Sequence, residues 1–318
     1  MAPVDVLTFG ETMVSLRSTG PLAQGGTLTM HAAGAESNVA VGLARLGHSV
    51  RWAGRLGRDP HGDFVERALR AEGVDLAVRR DGGRPTGVMF LERRTADLSR
   101  AYYYRSGSAG SGLSRADLER PLEDGAGILH LTGVTPALSA EALDAFVFAA
   151  ETAAARGMVV SLDVNYRGKL WSREDARAAL APVARHAAVV IASDDELDLL
   201  SGRPGTGSVA GTAAELLGLG VRDVVVKLGA RGADAYTADG TSHVDAVAVE
   251  AVDTVGAGDA FTAGYLSVLL EGGDVAARLR RGALLGAFAV STAGDWEGLP
   301  RRDELGLLES LDAGGTDR

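Results

Sequence analysis

From residue 128 onward, short apolar runs alternate with longer amphipathic segments at a spacing that leaves few folds open. Residues 128–132, 159–163, 189–192 and 223–227 read as strands, and 139–156, 173–184, 194–201 and 209–219 as helices. A helix between successive strands returns the chain to the same edge of the sheet, so the strands pair in parallel. Their nearly uninterrupted apolar character suits a sheet covered on both faces. The pattern predicts an α/β fold with a mainly parallel central sheet, whose ligands bind beyond the carboxyl ends of the strands.

The amino-terminal part adds extended pieces of a different kind. Residues 4–9 read as a strand that runs through Gly10-Glu11-Thr12 into a second extended piece at 13–17. Residues 18–33 are rich in Gly, Thr and Leu and show little helical periodicity. Gly34-Ala35-Glu36-Ser37-Asn38 then introduces an apolar helix over 39–46, stopped by Gly47. A strand over 49–54 and a helix over about 63–71 follow, with Pro60 suited to the first turn. Residues 87–93 and 99–105 alternate as a hairpin does and, with the piece near 13–33, would make a small β-lid. Two further extended pieces are expected at 242–245 and 247–252, and a last helix at 275–291.

Composition removes several functions. A net charge of −10 argues against nucleic acid as the main partner. With no cysteine there is neither a disulfide framework nor a thiolate metal site. The six histidines, at 31, 48, 61, 130, 186 and 243, form no zinc spacing. No Gly-x-Gly-x-x-Gly follows the first strand, which removes the main support for a nicotinamide oxidoreductase. No uncharged apolar run approaches a membrane span, and a cytoplasmic protein is expected.

The chemistry concentrates in Asp253-Thr254-Val255-Gly256-Ala257-Gly258-Asp259-Ala260-Phe261. Small residues followed by an apolar helical pattern running to Leu270 describe a tight turn opening a helix near Ala257. The first backbone N–H groups of a helix lack intrahelical partners and attract anions. Glycine at 256 and 258 lets a phosphate approach closely. Asp259 would repel that phosphate, which makes sense if it takes a proton from a hydroxyl attacking it. An acidic residue that merely complements the helix dipole is the simpler alternative.

Over its whole length, and continued by Thr262-Ala263-Gly264-Tyr265, this stretch resembles the C-terminal signature of the ribokinase-like (phosphofructokinase-B type) sugar kinases. The resemblance implies a three-layer α/β/α sandwich in a single kinase domain over 1–302. A β-lid would be inserted from about 12–33 and 86–107, and a fraying tail would occupy 303–318. It implies Asp259 as base, with Gly256, Ala257 and Gly258 holding the transferring phosphate. The Gly34–Asn38 stretch resembles the 2-keto-3-deoxygluconate and fructose kinases of this family, and places Gly34 and Asn38 against the sugar. The Tyr-x-Arg pattern of Tyr103 and Arg105 resembles their substrate-holding segment, and the two residues share a face of a strand. Asp163-Val164-Asn165-Tyr166-Arg167-Gly168-Lys169-Leu170-Trp171 is similar to a loop of the same kinases, with Asn165 assigned to the nucleotide and Arg167 to a carboxylate or phosphate.

Ser193 stands where the family usually has Asn, and Glu196 keeps the acid that orders magnesium through water. Lys227, Gly229, Ala230, Arg231 and Gly232 make the loop expected along the nucleotide. Ala283 replaces a frequent Asn on the adenine side. Gly-Asp-Trp-Glu-Gly-Leu-Pro resembles the ending of ketodeoxygluconate kinases and implies that Asp295 approaches the sugar. The surroundings of Asp253 are where several relatives hold potassium.

The implied reaction is ATP- and Mg2+-dependent phosphorylation of the 6-hydroxyl of 2-dehydro-3-deoxy-D-gluconate, with fructokinase or another sugar kinase of the family as the alternative. Two arginines, Arg105 and Arg167, favour an anionic sugar, since burying them without a carboxylate partner is costly. A sugar sensor without catalysis is the non-enzyme alternative. An exposed lid sheet would gain from pairing with a second copy.

Overall fold

The computed structural model describes residues 2–95, 98–202 and 207–308. In chain order the elements are β1 (Val4–Phe9), β2 (Met13–Ser18), β3 (Leu28–Ala33), α1 (Ala35–Arg45), β4 (Val50–Gly57), α2 (Pro60–Ala71), β5 (Asp75–Asp81), β6 (Val88–Arg93), β7 (Ser99–Tyr104) and α3 (Arg115–Asp124). They continue as β8 (Ala126–Thr132), α4 (Ala140–Ala155), β9 (Val159–Asp163), α5 (Arg173–Ala184), β10 (Val189–Ser193), α6 (Val209–Gly218), β11 (Asp223–Lys227), β12 (Ala233–Thr237), β13 (Gly240–Val244), α7 (Ala257–Leu270) and α8 (Val275–Val290).

Nine strands form the central sheet in the order β13-β12-β11-β10-β9-β8-β1-β4-β5, parallel from β11 to β5. Successive side chains of each strand enter opposite layers. Leu129, Val190 and Val224 pack with Phe146, Leu180 and Leu216 on one face. Ile128 packs with Leu43, Leu266 and Leu285 on the other, where Val189 and Val225 meet Tyr265 and Leu279. Two helical layers thus cover the sheet, which is why its strands carry no polar alternation.

A second sheet, β3-β2-β6-β7, is built from two separated excursions of the chain. β2 pairs with β6 in parallel, and hairpin partners β3 and β7 flank them. Its inner face carries Met13, Met89 and Tyr103; its outer face carries the cross-strand row Met30, Leu16, Phe90 and Tyr102.

Several expectations need correction. β5 and α3 were not anticipated: DLAVRRD and RADLERPLED are charge-rich, and tertiary pairing decides them. The helix expected over 194–201 is only a 3-10 turn, Leu197–Leu200. Residues 247–252 form no strand, because the ladder with β12 ends at Val244. At the expected end of the domain Arg302 donates to the Leu46 carbonyl and to Glu271, and a 3-10 turn spans Arg302–Glu304. The remainder of the expected tail, from 309, lies outside the described residues, as do 96–97 in the expected lid. No described helix is long and apolar enough to cross a membrane.

Candidate active site

The carboxyl ends of β8, β9, β10 and β11 present Thr132, Asp163, Ser193 and Lys227 at one edge of the sheet. Above them α7 begins at a turn in which Gly256 has φ of 76°. Only glycine suits this position, because a Cβ here would also lie 2.2 Å from the Asp295 carbonyl. The helix's own bonding starts with Ala260 N–H to Gly256 O at 2.8 Å, so the N–H groups of Gly258 and Asp259 are left free to bind an anion.

Asp259 is 6% exposed, and two amides grip its carboxylate. Asn38 donates to Oδ2 at 2.7 Å and Asn165 to Oδ1 at 3.1 Å. Asn165 holds φ of 39°, the one non-glycine residue with positive φ among the described residues, and that backbone turns its side chain toward Asp259. Burial raises the Asp259 pKa, while Arg167, Asn38 and Lys227 oppose the rise. The buried Oδ1 of Asn38 has no protein partner and is a ready acceptor for a ligand hydroxyl.

Asp259 opens into a cavity of about 560 Å³ between the central sheet and the lid. Gly34, Asn38, Tyr103, Arg105, Arg167, Gly256, Asp259 and Asp295 all line it, so the residues expected at the sugar are brought together. Gly34 is required by space: a Cβ would meet the Glu11 carbonyl at 2.5 Å. Arg105 lies 5.7 Å from the Tyr103 ring centre, on the side of the cavity roofed by the lid.

Three lining or adjoining residues escaped the sequence reading. Glu11, after β1, holds Arg105 at 2.6 Å. Arg105 therefore has a carboxylate partner within the chain, and the argument that it needs one from the substrate does not apply to it. Lys169 sits 5.8 Å from the Tyr103 ring centre and donates to the Ala101 carbonyl. Arg167 forms no ion pair among the described residues, so Arg167 and Lys169 supply the uncompensated positive charge. Arg17, on the inner face of β2, reaches Asp253 at 3.1 Å and Asp295 at 2.5 Å. Burial lifts the Asp295 pKa to about 6 against the pull of Arg17, with Glu297 and Asp259 adding to the rise. An acid at the carboxyl end of a parallel strand was a usable signal for Glu11; Arg17 is visible only through the register of β2.

Of the residues expected at the nucleotide, Gly256 lines this cavity, whereas Asn165, Ser193, Lys227 and the Gly229–Gly232 turn do not. Lys227 binds Asp163 at 2.8 Å, and its ammonium would lie 3.3 Å from a Cβ on Gly258, beside the anion turn. Burial works against that charge, but Asp163 and Glu196 outweigh it and raise the pKa. Glu196 accepts N–H bonds from Tyr166 and Ser193, tying the loops after β9 and β10. Gly229, Ala230, Arg231 and Gly232 form the turn between β11 and β12; Arg231 is exposed and paired with Asp194. Ala283 lines a separate cavity with Val244, Val247 and Leu284.

No group of three potential metal ligands occurs among the described residues. A potassium ion on the side chain of Asp253 fits poorly: Oδ2 lies against Arg17, and Oδ1 accepts the Val255 N–H.

The pfkB family carbohydrate kinase model matches residues 4–302. A protein of Bacillus subtilis (strain 168) named 2-dehydro-3-deoxygluconokinase is 35% identical over 308 residues, covering 95% of this chain and 94% of that protein. The crystal structure of a PfkB protein from Polaromonas sp. JS666 is 40% identical, with a TM-score of 0.84 over 95% of this chain and 99% of its own. An E. coli protein of the ribokinase II type, solved with ATP and Mg2+, is 27% identical, with a TM-score of 0.90 over 98% of this chain and 100% of its own. This chain belongs to the pfkB family of carbohydrate kinases.

Proposed function

We propose that the protein transfers the γ-phosphoryl group of ATP to the 6-hydroxyl of 2-dehydro-3-deoxy-D-gluconate in the cytoplasm. The observation that carries this reading is the buried Asp259 carboxylate at the mouth of α7, facing a lid-covered cavity that Arg167 and Lys169 also line. The Bacillus subtilis relative's name supports the keto acid as substrate.

In this reading the sugar lies beneath the lid with its carboxylate toward Arg167 and Lys169 and its reacting hydroxyl against Asp259 and Asn38. The hydroxyl oxygen bonds to the γ-phosphorus as the bond to the bridging oxygen breaks, leaving ADP. Its proton passes to Asp259. The N–H groups of Gly256, Gly258 and Asp259 meet the charge on the group in transit, with Lys227 beside them, while the Ala257 N–H, which donates to the Thr254 carbonyl at 3.4 Å, must turn to join them. The turn at Gly229–Gly232, Asn165 and Ser193 border the path of the nucleotide, and Glu196 would orient magnesium through water. Magnesium, when bound, neutralises phosphate oxygens. The lid excludes water, which protects ATP from hydrolysis.

A panel of sugars in a coupled ADP-release assay tests the substrate. The keto acid is expected to be preferred, and Arg167→Ala to raise its KM about 10- to 100-fold, the loss of one charge-assisted hydrogen bond. Fructose, which has no carboxylate, should feel that change little. Preference of the wild-type protein for fructose would move the assignment to fructokinase, the reading favoured by the internal pairing of Arg105 with Glu11.

The lid also supports a homo-oligomer. Beyond the part of β2 that packs on α2, the outer face leaves Met30 45%, Tyr102 40% and Tyr104 68% exposed. An apolar sheet face of this kind gains by being covered by a second copy. Light scattering is expected to give a dimer or higher assembly, and Tyr104→Glu to shift it toward monomer; a wild-type monomer at micromolar concentration would refute the pairing.

A further inference from the structure

Arg17 occupies a position that the reaction as described leaves unused. It lies on the inner face of β2, its side chain 11% exposed, opposite Thr29 and Leu91 in the lid sheet. Its two terminal nitrogens separate: Nη1 is 3.1 Å from Asp253 Oδ2, and Nη2 is 2.5 Å from Asp295 Oδ2. Both carboxylates belong to segments that adjoin the anion turn, and one guanidinium joins them. Asp253 begins it and accepts the Val255 N–H at 3.1 Å. The Asp295 carbonyl lies where a Cβ on Gly256 would sit, so the backbone on that side is packed against the turn without a gap.

We propose that Arg17 is a positioning residue whose guanidinium, delivered by the lid, supplies the fixed positive charge that holds the anion turn, in place of a dissociable monovalent cation. Two carboxylates next to a phosphate site repel each other and the ligand unless a cation lies between them. A fork with separated donors can bind one oxygen of each, which a lysine ammonium on a flexible stem does less well. Because the charge is covalently part of β2, the turn is in register only when the lid base is in place. The order of the turn is then independent of the salt in solution.

The proposal rests on the phosphoryl-transfer reading for its kinetic test but not for its binding test. Initial rates of the wild-type protein with tetramethylammonium as the only monovalent cation are expected to equal those with potassium added. ATP affinity by calorimetry is expected to be equal in the same two buffers. Arg17→Met should lower kcat about 10²-fold, the scale of an ångström-sized misplacement, with a smaller effect on sugar KM. Millimolar guanidinium or potassium should restore part of that loss, and Arg17→Lys should recover only part of it. Several-fold activation of the wild type by potassium, ATP binding that requires it, or an Arg17→Met protein with unaltered kcat would overturn the proposal. Should Arg17→Met not fold, as judged by circular dichroism, the wild-type cation series and Arg17→Lys decide the matter. If no sugar is phosphorylated while ATP binding is equal in both buffers, the substrate assignment falls and the role of Arg17 stands.

Discussion

Asp259→Asn is expected to lower kcat by about 10³-fold or more while leaving ATP affinity within a few-fold of the wild type, as removal of a general base does. The amide keeps the shape of the carboxylate, so Asn38 and Asn165 keep a neighbour of the same size, although one of their donated bonds must turn to face an NH2 group. What is lost is the basic oxygen. Steady-state rates with calorimetric ATP binding separate the two effects, and a variant retaining most of its turnover would remove Asp259 from the role of base. The wild-type pH profile bears on the same residue. Burial raises the Asp259 pKa above the ordinary carboxylate value, and the base must be ionised to act, so activity is lost as pH falls through that raised value. Asp295, pushed up to about 6, loses its pairing with Arg17 when protonated.

Gly256→Ala is the second change with a large expected effect, a fall in kcat of about 10² to 10³, the range seen when an oxyanion donor is lost. The new methyl would sit 2.2 Å from the Asp295 carbonyl, and φ of 76° disfavours any L side chain. The turn must therefore open or shift, which moves its N–H groups off the phosphate. The left-handed conformation alone costs on the order of 1–2 kcal/mol, a modest loss of stability for a domain of this size. Thermal melting beside kinetics distinguishes the cases. A small drop in Tm with a large drop in kcat is expected, and unaltered kcat would deny the turn its part in transfer.

Much of this architecture was legible because the central strands are apolar on both sides. The runs around Leu129, Val160, Val190 and Val225 admit no half-exposed sheet, and their spacing leaves room for one helix between each pair. β5 and α3 were hidden because their stability comes from neighbours: β5 is a partly exposed strand held by the ladder with β4, and α3 carries Pro121 within a charged segment. The acidic cluster after β10 suggested a helix start, but Glu196 turns inward to accept the Ser193 and Tyr166 N–H groups while Asp194 and Asp195 stay exposed, and only a short 3-10 turn follows. At the site, glycine-rich turns and the Asp259 motif are local in sequence and could be read. The Glu11–Arg105 and Arg17–Asp295 pairs join positions far apart along the chain, and no local pattern signals which charge will meet which.

The two halves of the flap are stitched by the parallel ladder between β2 and β6, although β4, β5 and two helices separate them in sequence. Neither hairpin can lift alone without breaking that seam, so the flap should pivot as a single leaf on its four entry points. Its backbone amides would then exchange with solvent as one cooperative unit, later in assembly and earlier in opening than the sandwich beneath.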